Sequence, residues 1–488
     1  MDHNADAKKV VTRFAPSPTG FMHIGGIRTA LFAYLYARKD NGTFILRIED
    51  TDKEREVAGS IEQIKEALQW LGITWDYGPG TDTPFGSCIQ SERLPTYLEF
   101  AHQLIAKGLA YPDPYTTEEV AAFKESAIAA KRPFLFRDHR PEVFETWDGT
   151  KPLRLKVPEI KRYTWHDEVR GELSAGEEML DDVILIKSDG YPTYNFAHII
   201  DDHVMGVTHI MRGDEFISSM PKFLSIYDAL DIPYPTFVTL PPILRDDRTK
   251  KLGKRDGAKD ILDYRTDGYL PEAMVNFLAL TGWNPGTEQE VFSQDELITA
   301  FDISKIQKAG AVFNEEKLLW MNRQHLNALS NEAFMEYLLP AIPEQLSALP
   351  QYTINTLKRL VPTIRERINT LAEFHTEVSA GEYDWAFTAP DYETSIIKWK
   401  NDTDATQALP RLKMALELLK NADFSSSDTI KAALWPYAEE VGKGELLWPL
   451  RVCLSGKIQS PDPFTIAYSI GQVETLARIE TACDKLQG

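Results

Sequence analysis

The chain has 488 residues, 43% hydrophobic and 26% charged, which fits a folded multidomain protein and excludes a disordered or fibrous one. Its 53 Lys and Arg against 73 Asp and Glu leave a net charge of −20, which argues against phosphate-backbone binding over the whole surface. Three separated cysteines, Cys88, Cys453 and Cys483, form no C-x-x-C pair, the start MDHNADAKK has no apolar leader core, and no stretch approaches the roughly 18 apolar residues of a membrane span; the expectation is a cytoplasmic protein without a thiolate metal centre.

In chain order, residues 10–14 read as a strand that empties into a Pro/Gly loop ending at His23-Ile24-Gly25-Gly26. A helix starts at once, with Ile27, Leu31, Tyr34 and Leu35 on one face, and Asn41-Gly42 turns the chain into a second strand over 43–48. In such a β-loop-α-β unit the helix N-terminus faces the loop mouth, where free N–H groups and the helix dipole favour a phosphate. Gly25 and Gly26 keep side chains out of the way, and His23 supplies a donor. The second strand ends in Glu49-Asp50-Thr51-Asp52, and Val57, Ile61, Ile64, Leu68 and Leu71 then mark an amphipathic helix.

From about residue 95 the pattern changes to a helix, a loop at 110–114, a polar helix, and strands at 153–157 and 183–187. The fold of the opening unit is expected to resume at Ile199 and to run through Asp201-Asp202-His203 and 207–211 to Arg212-Gly213-Asp214-Glu215. Past residue 328 nearly everything is helical in period, including 334–339, 354–371, 409–419, 430–438 and 466–485, which favours an α-helical region over a β-barrel. Basic side chains gather locally despite the global charge, with seven basic and three acidic residues from Arg245 to Lys259 and a further group at Lys358, Arg359, Arg365 and Arg367. Localised stripes of this kind allow one face to meet RNA while the body repels it.

Two motifs carry a resemblance. The run A-P-S-P-T-G-x-x-H-I-G-G, residues 15–26, resembles the first signature of class I aminoacyl-tRNA synthetases in the form used by the glutamate branch, where the last His of H-I-G-H is commonly a small residue, here Gly26. Lys251-Leu252-Gly253-Lys254-Arg255 resembles the K-M-S-K-S loop of the same class, with Gly253 departing from its Ser. The resemblance extends over nearly the whole chain, through Trp448–Gly456. It implies a multidomain α/β protein: a Rossmann-like parallel-sheet catalytic domain in two halves (1–94 and 199–220), an α+β connective-peptide insertion that holds the tRNA acceptor end (95–198), a stem-contact region with the KLGKR loop (221–328), and an all-α anticodon-binding region (329–488).

The activity implied is that of a monomeric glutamate–tRNA ligase, which makes glutamyl-adenylate from L-glutamate and ATP and transfers glutamate to tRNA(Glu). His23, Lys251 and Lys254 are the expected catalytic residues, and with Gly25, Gly26 and the backbone of Ile243 and Leu244 they form the expected ATP site. Mg²⁺ is expected to arrive with ATP. Glutamate is expected to meet Arg13, Ser17, Glu49, Tyr194 and Arg212, with His198 in a supporting polar role; which carboxylate Arg212 takes is left open. Relatives that bind zinc do so through cysteines just after the Ala-Tyr pair, and here those positions hold Pro112, Asp113, Pro114 and Tyr115, so no zinc is expected. In relatives that reject glutamine tRNA, an Arg before a T-L-x-E-F segment reads the anticodon; Arg365, with Arg367 as alternative, precedes Thr370–Phe374. A non-discriminating enzyme that also charges tRNA(Gln) and an inactive tRNA-binding protein are the competing readings. A dinucleotide-dependent dehydrogenase is excluded because no G-x-G-x-x-G turn follows the first strand.

Overall fold

The computed structural model describes residues 9–245, 247–248, 250–252 and 259–487. They divide into two compact units, Met1–Arg265 with Pro271–Leu318 and Thr266–Leu270 with Leu319–Gly488.

In the first unit Val11–Phe14 (β1) pairs in parallel with Thr43–Leu46 (β2), Val11 opposite Thr43 and Phe14 opposite Leu46. The helix between them, Ile24–Lys39 (α1), returns the chain to the same sheet direction, as a parallel crossover requires. The turn that closes the unit admits only glycine at 42, because a Cβ there would lie 2.5 Å from the Val10 carbonyl oxygen. The face expected for α1 is buried, yet so are Arg28, Ala30, Phe32, Ala33 and Ala37. One side of the helix is tied to β1 by the Thr12 hydroxyl, which donates to Ala33 O at 2.7 Å. The other carries Phe32, edge-on to Phe301 with centroids 5.2 Å apart, so α1 lies inside the unit rather than on its surface.

His209–Gly213 (β8 in chain order, after β3 to β7 given below) lies beside β1, with Thr208 N donating to Val11 O at 2.9 Å. It pairs in parallel with Thr236–Leu240 (β9), His209 opposite Thr236. The insertion contributes a three-stranded antiparallel sheet from Ala110–Pro112 (β3), Leu153–Leu155 (β4) and Ile184–Ile186 (β7). Residues 110–112, expected to be loop, become a strand because Tyr111 is fully buried and its hydroxyl donates to Asp182 at 2.6 Å. The hairpin Tyr163–Asp167 (β5) and Gly171–Ala175 (β6) also departs from the expected division. It lies within 95–198 in sequence, but β5 joins β9 in parallel at Asp167 and Phe237 and so widens the catalytic sheet. Ile243–Leu244 (β10) pairs with Ala311–Val312 (β11).

Among the described residues the second unit is helical, without a strand. The helix expected over 354–371 ends at Arg367; Ile368 turns extended and a new helix, Leu371–Ser379, starts behind a Thr370 cap. Competition for the backbone explains the break, since the Glu373 carboxylate accepts from Asn369 N at 2.6 Å. The final helix, Pro463–Gln487, is interrupted at Gly471, whose φ of 81° places it in the left-handed region. Arg359 fills the space a side chain at 471 would need, its Nη1 2.1 Å from the ideal Cβ position. No described helix is long and apolar enough to cross a membrane.

Candidate active site

The loop after β1, the start of α1 and the ends of β2 and β8 enclose a cavity of about 610 Å³. Arg13, Ser17, His23, Gly26, Glu49, Tyr194 and Arg212 all line it, although they come from four separate stretches of the chain. Parallel strands that end side by side bring such residues together at their carboxyl edge.

At the phosphate end, His23 is the N-cap of α1. Its Nδ1 accepts from Gly25 N at 3.1 Å, and Gly26 N and Ile27 N donate to its carbonyl at 3.0 and 3.2 Å. The free N–H groups expected there are therefore partly taken, by the histidine itself. Because Nδ1 accepts, the ring proton sits on Nε2, so the imidazole can donate outward. Gly25 leaves room for that pose, since a Cβ on it would lie 3.0 Å from His23 Cε1 and the ring would have to give way by a few tenths of an ångström. Lys251 pairs with Glu215, a lining residue of the cavity, with Nζ 2.8 Å from Oε2. Gly253 and Lys254 lie outside the described residues.

Ile243 and Leu244 do not line this cavity. Their carbonyls accept from Leu252 N at 2.8 Å and Phe313 N at 3.0 Å. Leu244 bridges to Lys251 on one side and lines a separate cavity of about 340 Å³, beside Thr281 and Gly310, on the other. Arg28 fixes the approach to this strand from within α1, donating from Nη2 to Pro241 O and from Nη1 to Thr281 O at 3.1 Å. Burial lowers its guanidinium to about 10, with Asp214 and Glu215 opposing that shift.

The two arginines at the other end differ in kind. Arg13, 5% exposed, is already engaged: Nε and Nη2 donate to the Asp202 carboxylate at 3.0 and 3.3 Å, and Nη1 to Met211 O at 3.3 Å. Arg212, 6% exposed, pairs with no carboxylate among the described residues. Its Nη2 meets the Met220 sulfur, the rings of Phe216, Phe223 and Phe237 lie 5.0–5.5 Å from its Cζ, and Nη1 is buried without a hydrogen-bond partner among the described residues. Burial lowers its pKa. A buried, unpaired cation is costly unless something arrives to meet it.

Glu49 accepts at Oε1 from Arg47 Nη2 at 2.9 Å; burial raises its pKa while Arg47 and Arg13 pull it down. Tyr194 stacks on His198 with ring centroids 4.6 Å apart. His198 itself sits behind Tyr194 and away from the cavity wall, its Nδ1–H donating to Tyr194 O at 2.7 Å. Burial lowers its pKa to about 3, so the ring is neutral. Ser17, Glu49 and Tyr194 also line an adjoining cavity of about 510 Å³, whose far wall carries Thr51, Lys53 and Lys187. Arg47 and Asp202 were not anticipated as part of this region. The signal was present as charges inside apolar runs, FILRIED and FAHIIDDHV.

At the positions where zinc-binding relatives carry cysteines, Asp113 accepts from Arg154 Nε at 2.7 Å and Tyr115 OH donates to His139 O at 2.8 Å. In the second unit, Arg365 donates from Nη2 to Ser330 O and Asn331 Oδ1, both at 3.1 Å, and lies 4.8 Å from the Phe334 ring. Arg367 is held by two carboxylates, Glu377 at 3.2 Å and Glu382 at 2.9 Å.

Comparison with known proteins shows the family of the chain. Residues 9–320 match the family described as tRNA synthetases class I (E and Q), catalytic domain, and residues 332–483 match an anticodon binding domain. A glutamate–tRNA ligase from Clostridium botulinum strain Hall is 42% identical over 490 residues, covering 98% of this chain and 99% of the relative. One from Clostridium novyi is 40% identical, covering 99% of both. A solved glutamate tRNA ligase from Elizabethkingia meningosepticum, in complex with its amino acid, superposes with a TM-score of 0.83 at 34% identity over 98% of this chain and all of that one. The glutamate-tRNA synthetase of Elizabethkingia anophelis gives 0.80 at 33%, with the same coverage.

Proposed function

Because the chain belongs to the class I tRNA synthetases for glutamate and glutamine, and among them to the glutamate–tRNA ligases, we propose that the 610 Å³ cavity is where L-glutamate is activated with ATP. The observation that carries this reading is the buried Arg212, whose Nη1 has no partner among the described residues. Around it Arg13 and Arg47 share Asp202 and Glu49, so at this end of the cavity three guanidiniums stand beside two carboxylates, with Asp201 near Arg47 balanced by Arg93. Glutamate, with two carboxylates and one ammonium, supplies the missing negative charge.

In this reading Arg212 and the outward N–H groups of Arg13 receive the carboxylates, Glu49 with Ser17 receives the ammonium, and Tyr194 closes the wall. His198 supports Tyr194 from behind. The α-carboxylate oxygen attacks the α-phosphorus of ATP and pyrophosphate leaves. The nucleophile is already ionised, so the protein's task is to orient the reactants and stabilise charge. His23 Nε2–H and the Gly25–Gly26 end of α1 act on one side of the triphosphate. Lys251, released from Glu215, and Lys254 act on the other. The adenine edge is assigned to the backbone of Ile243–Leu244, outside this cavity and beside the smaller one that Leu244 lines. Mg²⁺ arrives on ATP, bound largely by phosphate oxygens and water.

The terminal hydroxyl of tRNA then displaces AMP from the adenylate. The insertion holds the acceptor arm, the segment after β9 contacts the stem, and the helical unit takes the anticodon. The enzyme works as a cytoplasmic monomer and discriminates against tRNA(Gln).

Aminoacylation with radiolabelled glutamate tests this reading against separate tRNA(Glu) and tRNA(Gln) transcripts. Charging of tRNA(Glu) alone is expected. Equal charging of both transcripts would make the enzyme non-discriminating, and charging of neither would leave a tRNA-binding protein.

A further inference from the structure

Beneath the cavity runs a continuous set of buried charges whose two middle members, Asp202 and Arg47, do not line it. Asp202, 2% exposed, accepts on Oδ1 from Arg13 Nε at 3.0 Å and from Arg47 Nη1 at 2.7 Å, and on Oδ2 from Arg13 Nη2 at 3.3 Å. Arg47, fully buried, donates onward to Glu49 Oε1 from Nη2 at 2.9 Å and from Nε at 3.3 Å. The order is therefore Arg13, Asp202, Arg47, Glu49, with alternating sign. Its two ends line the cavity and its two middle members hold them.

The neighbouring carboxylate does different work. Asp201, also fully buried, accepts from Arg93 Nε, Tyr97 OH and Gln90 Nε2, each at 2.8 Å, and meets Arg47 only at 3.8 Å. Its partners belong to the turn Gln90–Arg93 and the helix Leu94–Ala106, at the root of the insertion. Adjacent residues on one helix thus take different hydrogen-bond partners and share only the ion-pair neighbour Arg47.

We propose that Asp202 is a positioning residue for amino-acid selection: it fixes the cation that meets a ligand carboxylate and, through Arg47, the anion that meets the ligand ammonium. The physical basis is that a guanidinium fork held at two points by one carboxylate cannot swing, and its remaining N–H groups are aimed in a fixed direction. With the fork fixed, an uncharged amide in place of the ligand carboxylate presents donors to donors. Loosening the fork relaxes that penalty, and with it the preference for glutamate over glutamine. Asp202 stays ionised for this purpose: burial opposes its charge, but Arg13 and Arg47 together hold it well below the usual carboxylate range. The inference rests on the cavity being the glutamate site.

The test uses the full-length enzyme with saturating tRNA(Glu) and pyrophosphate exchange as the readout. Asp202→Asn keeps the shape but removes the charge and turns an N–H toward a guanidinium. Glutamate KM is expected to rise about 10- to 100-fold, as displacement of a positioned group on the order of 1 Å produces, with ATP KM within about twofold of wild type. The glutamate-over-glutamine ratio of kcat/KM is expected to fall by about tenfold or more. Asp201→Asn, the matched control, is expected to lower the thermal midpoint while leaving glutamate KM and the selectivity ratio in place. Unchanged KM and selectivity in Asp202→Asn, or equal changes in the two variants, would overturn the proposal. If Asp202→Asn does not fold, Asp202→Glu carries the test, since its extra methylene displaces the fork while keeping the charge; a wild-type glutamate KM there overturns it equally. Arg212→Met separates the underlying reading: a normal glutamate KM in that variant removes the glutamate site, whereas a raised one beside an unaffected Asp202→Asn removes only the role of Asp202.

Discussion

Arg13 and Arg212 are buried alike and carry the same charge, yet their partners predict opposite responses to mutation. Arg13→Ala strands the Asp202 carboxylate and leaves Arg47 to balance it alone, so the fold should lose about 3–5 kcal/mol, visible as a lower denaturation midpoint. Arg212→Met strands nothing and fills the Phe216–Phe223–Phe237 cage with an apolar chain. Its midpoint should hold or rise, while glutamate binding loses about 2–5 kcal/mol, read as KM in pyrophosphate exchange. An Arg212→Met protein that binds glutamate normally would show the cage to be structural. His198 makes a pH prediction of definite sign. Its folded pKa is depressed from 6.5 to about 3, so the folded ring stays neutral while the unfolded one takes up a proton below 6.5. The unfolded state then binds more protons, and stability falls as pH drops from 6.5 toward 3, by at most about 1.4 kcal/mol per pH unit. His198→Asn should flatten that limb in denaturant titrations at pH 7, 6, 5 and 4 (~1 unit steps). A residual slope remains, because burial also depresses His209. Asp202 has its own window: its stabilisation is complete above its unfolded value of 3.8 and is lost only on acidifying below that.

At the level of elements, the signature helix does more than offer a helix end to a phosphate. Gly25 lets the imidazole of His23 fold back over α1 and cap it. Gly25→Ala should gain up to about 1 kcal/mol of helix propensity. The new methyl should also push the His23 ring off the cap and lower kcat for adenylate formation by about 10- to 100-fold, with glutamate KM nearly unchanged. A variant with full kcat would show that the capped pose of His23 is dispensable. The contrast explains what could be read from sequence. The strand, loop and helix around His23 were legible because Gly, Pro and apolar spacing act within a few residues of themselves. The strand at 110–112 was not, because it forms only when Leu153–Leu155 arrives 41 or more residues later to pair with it. The same distance hid the fork on Arg13, whose partner Asp202 is 189 residues away. Residue type told which side chains could meet a carboxylate; only long-range pairing tells which are still available to do so.

Over the whole molecule, chemistry belongs to the first unit and base reading to the second, so a change in the second should alter which tRNA is charged without altering how glutamate is activated. The chain's net charge of −20 makes local cations the points at which RNA can be held, and their partners decide which are available. Arg367 is neutralised by Glu377 and Glu382, which lie within 3.2 Å. Among the described residues Arg365 meets a backbone carbonyl, an amide oxygen and the Phe334 ring but no carboxylate, so no anion competes with a base for it. Glutamate anticodons end in cytosine and glutamine anticodons in guanine, and an unstacked cytosine presents a carbonyl acceptor where guanine presents donors. A guanidinium at that place rewards the first and repels the second. Arg365→Gln should therefore raise charging of tRNA(Gln) relative to tRNA(Glu) by about 1–3 kcal/mol of lost discrimination, with glutamate and ATP KM unchanged. Arg367→Gln should leave the ratio alone and shift stability by no more than about 1 kcal/mol, since its ion pairs are partly exposed. Parallel aminoacylation of the two transcripts by the wild type and both variants decides the matter: a ratio that moves with Arg367 and not Arg365 would transfer the reading role to the paired arginine.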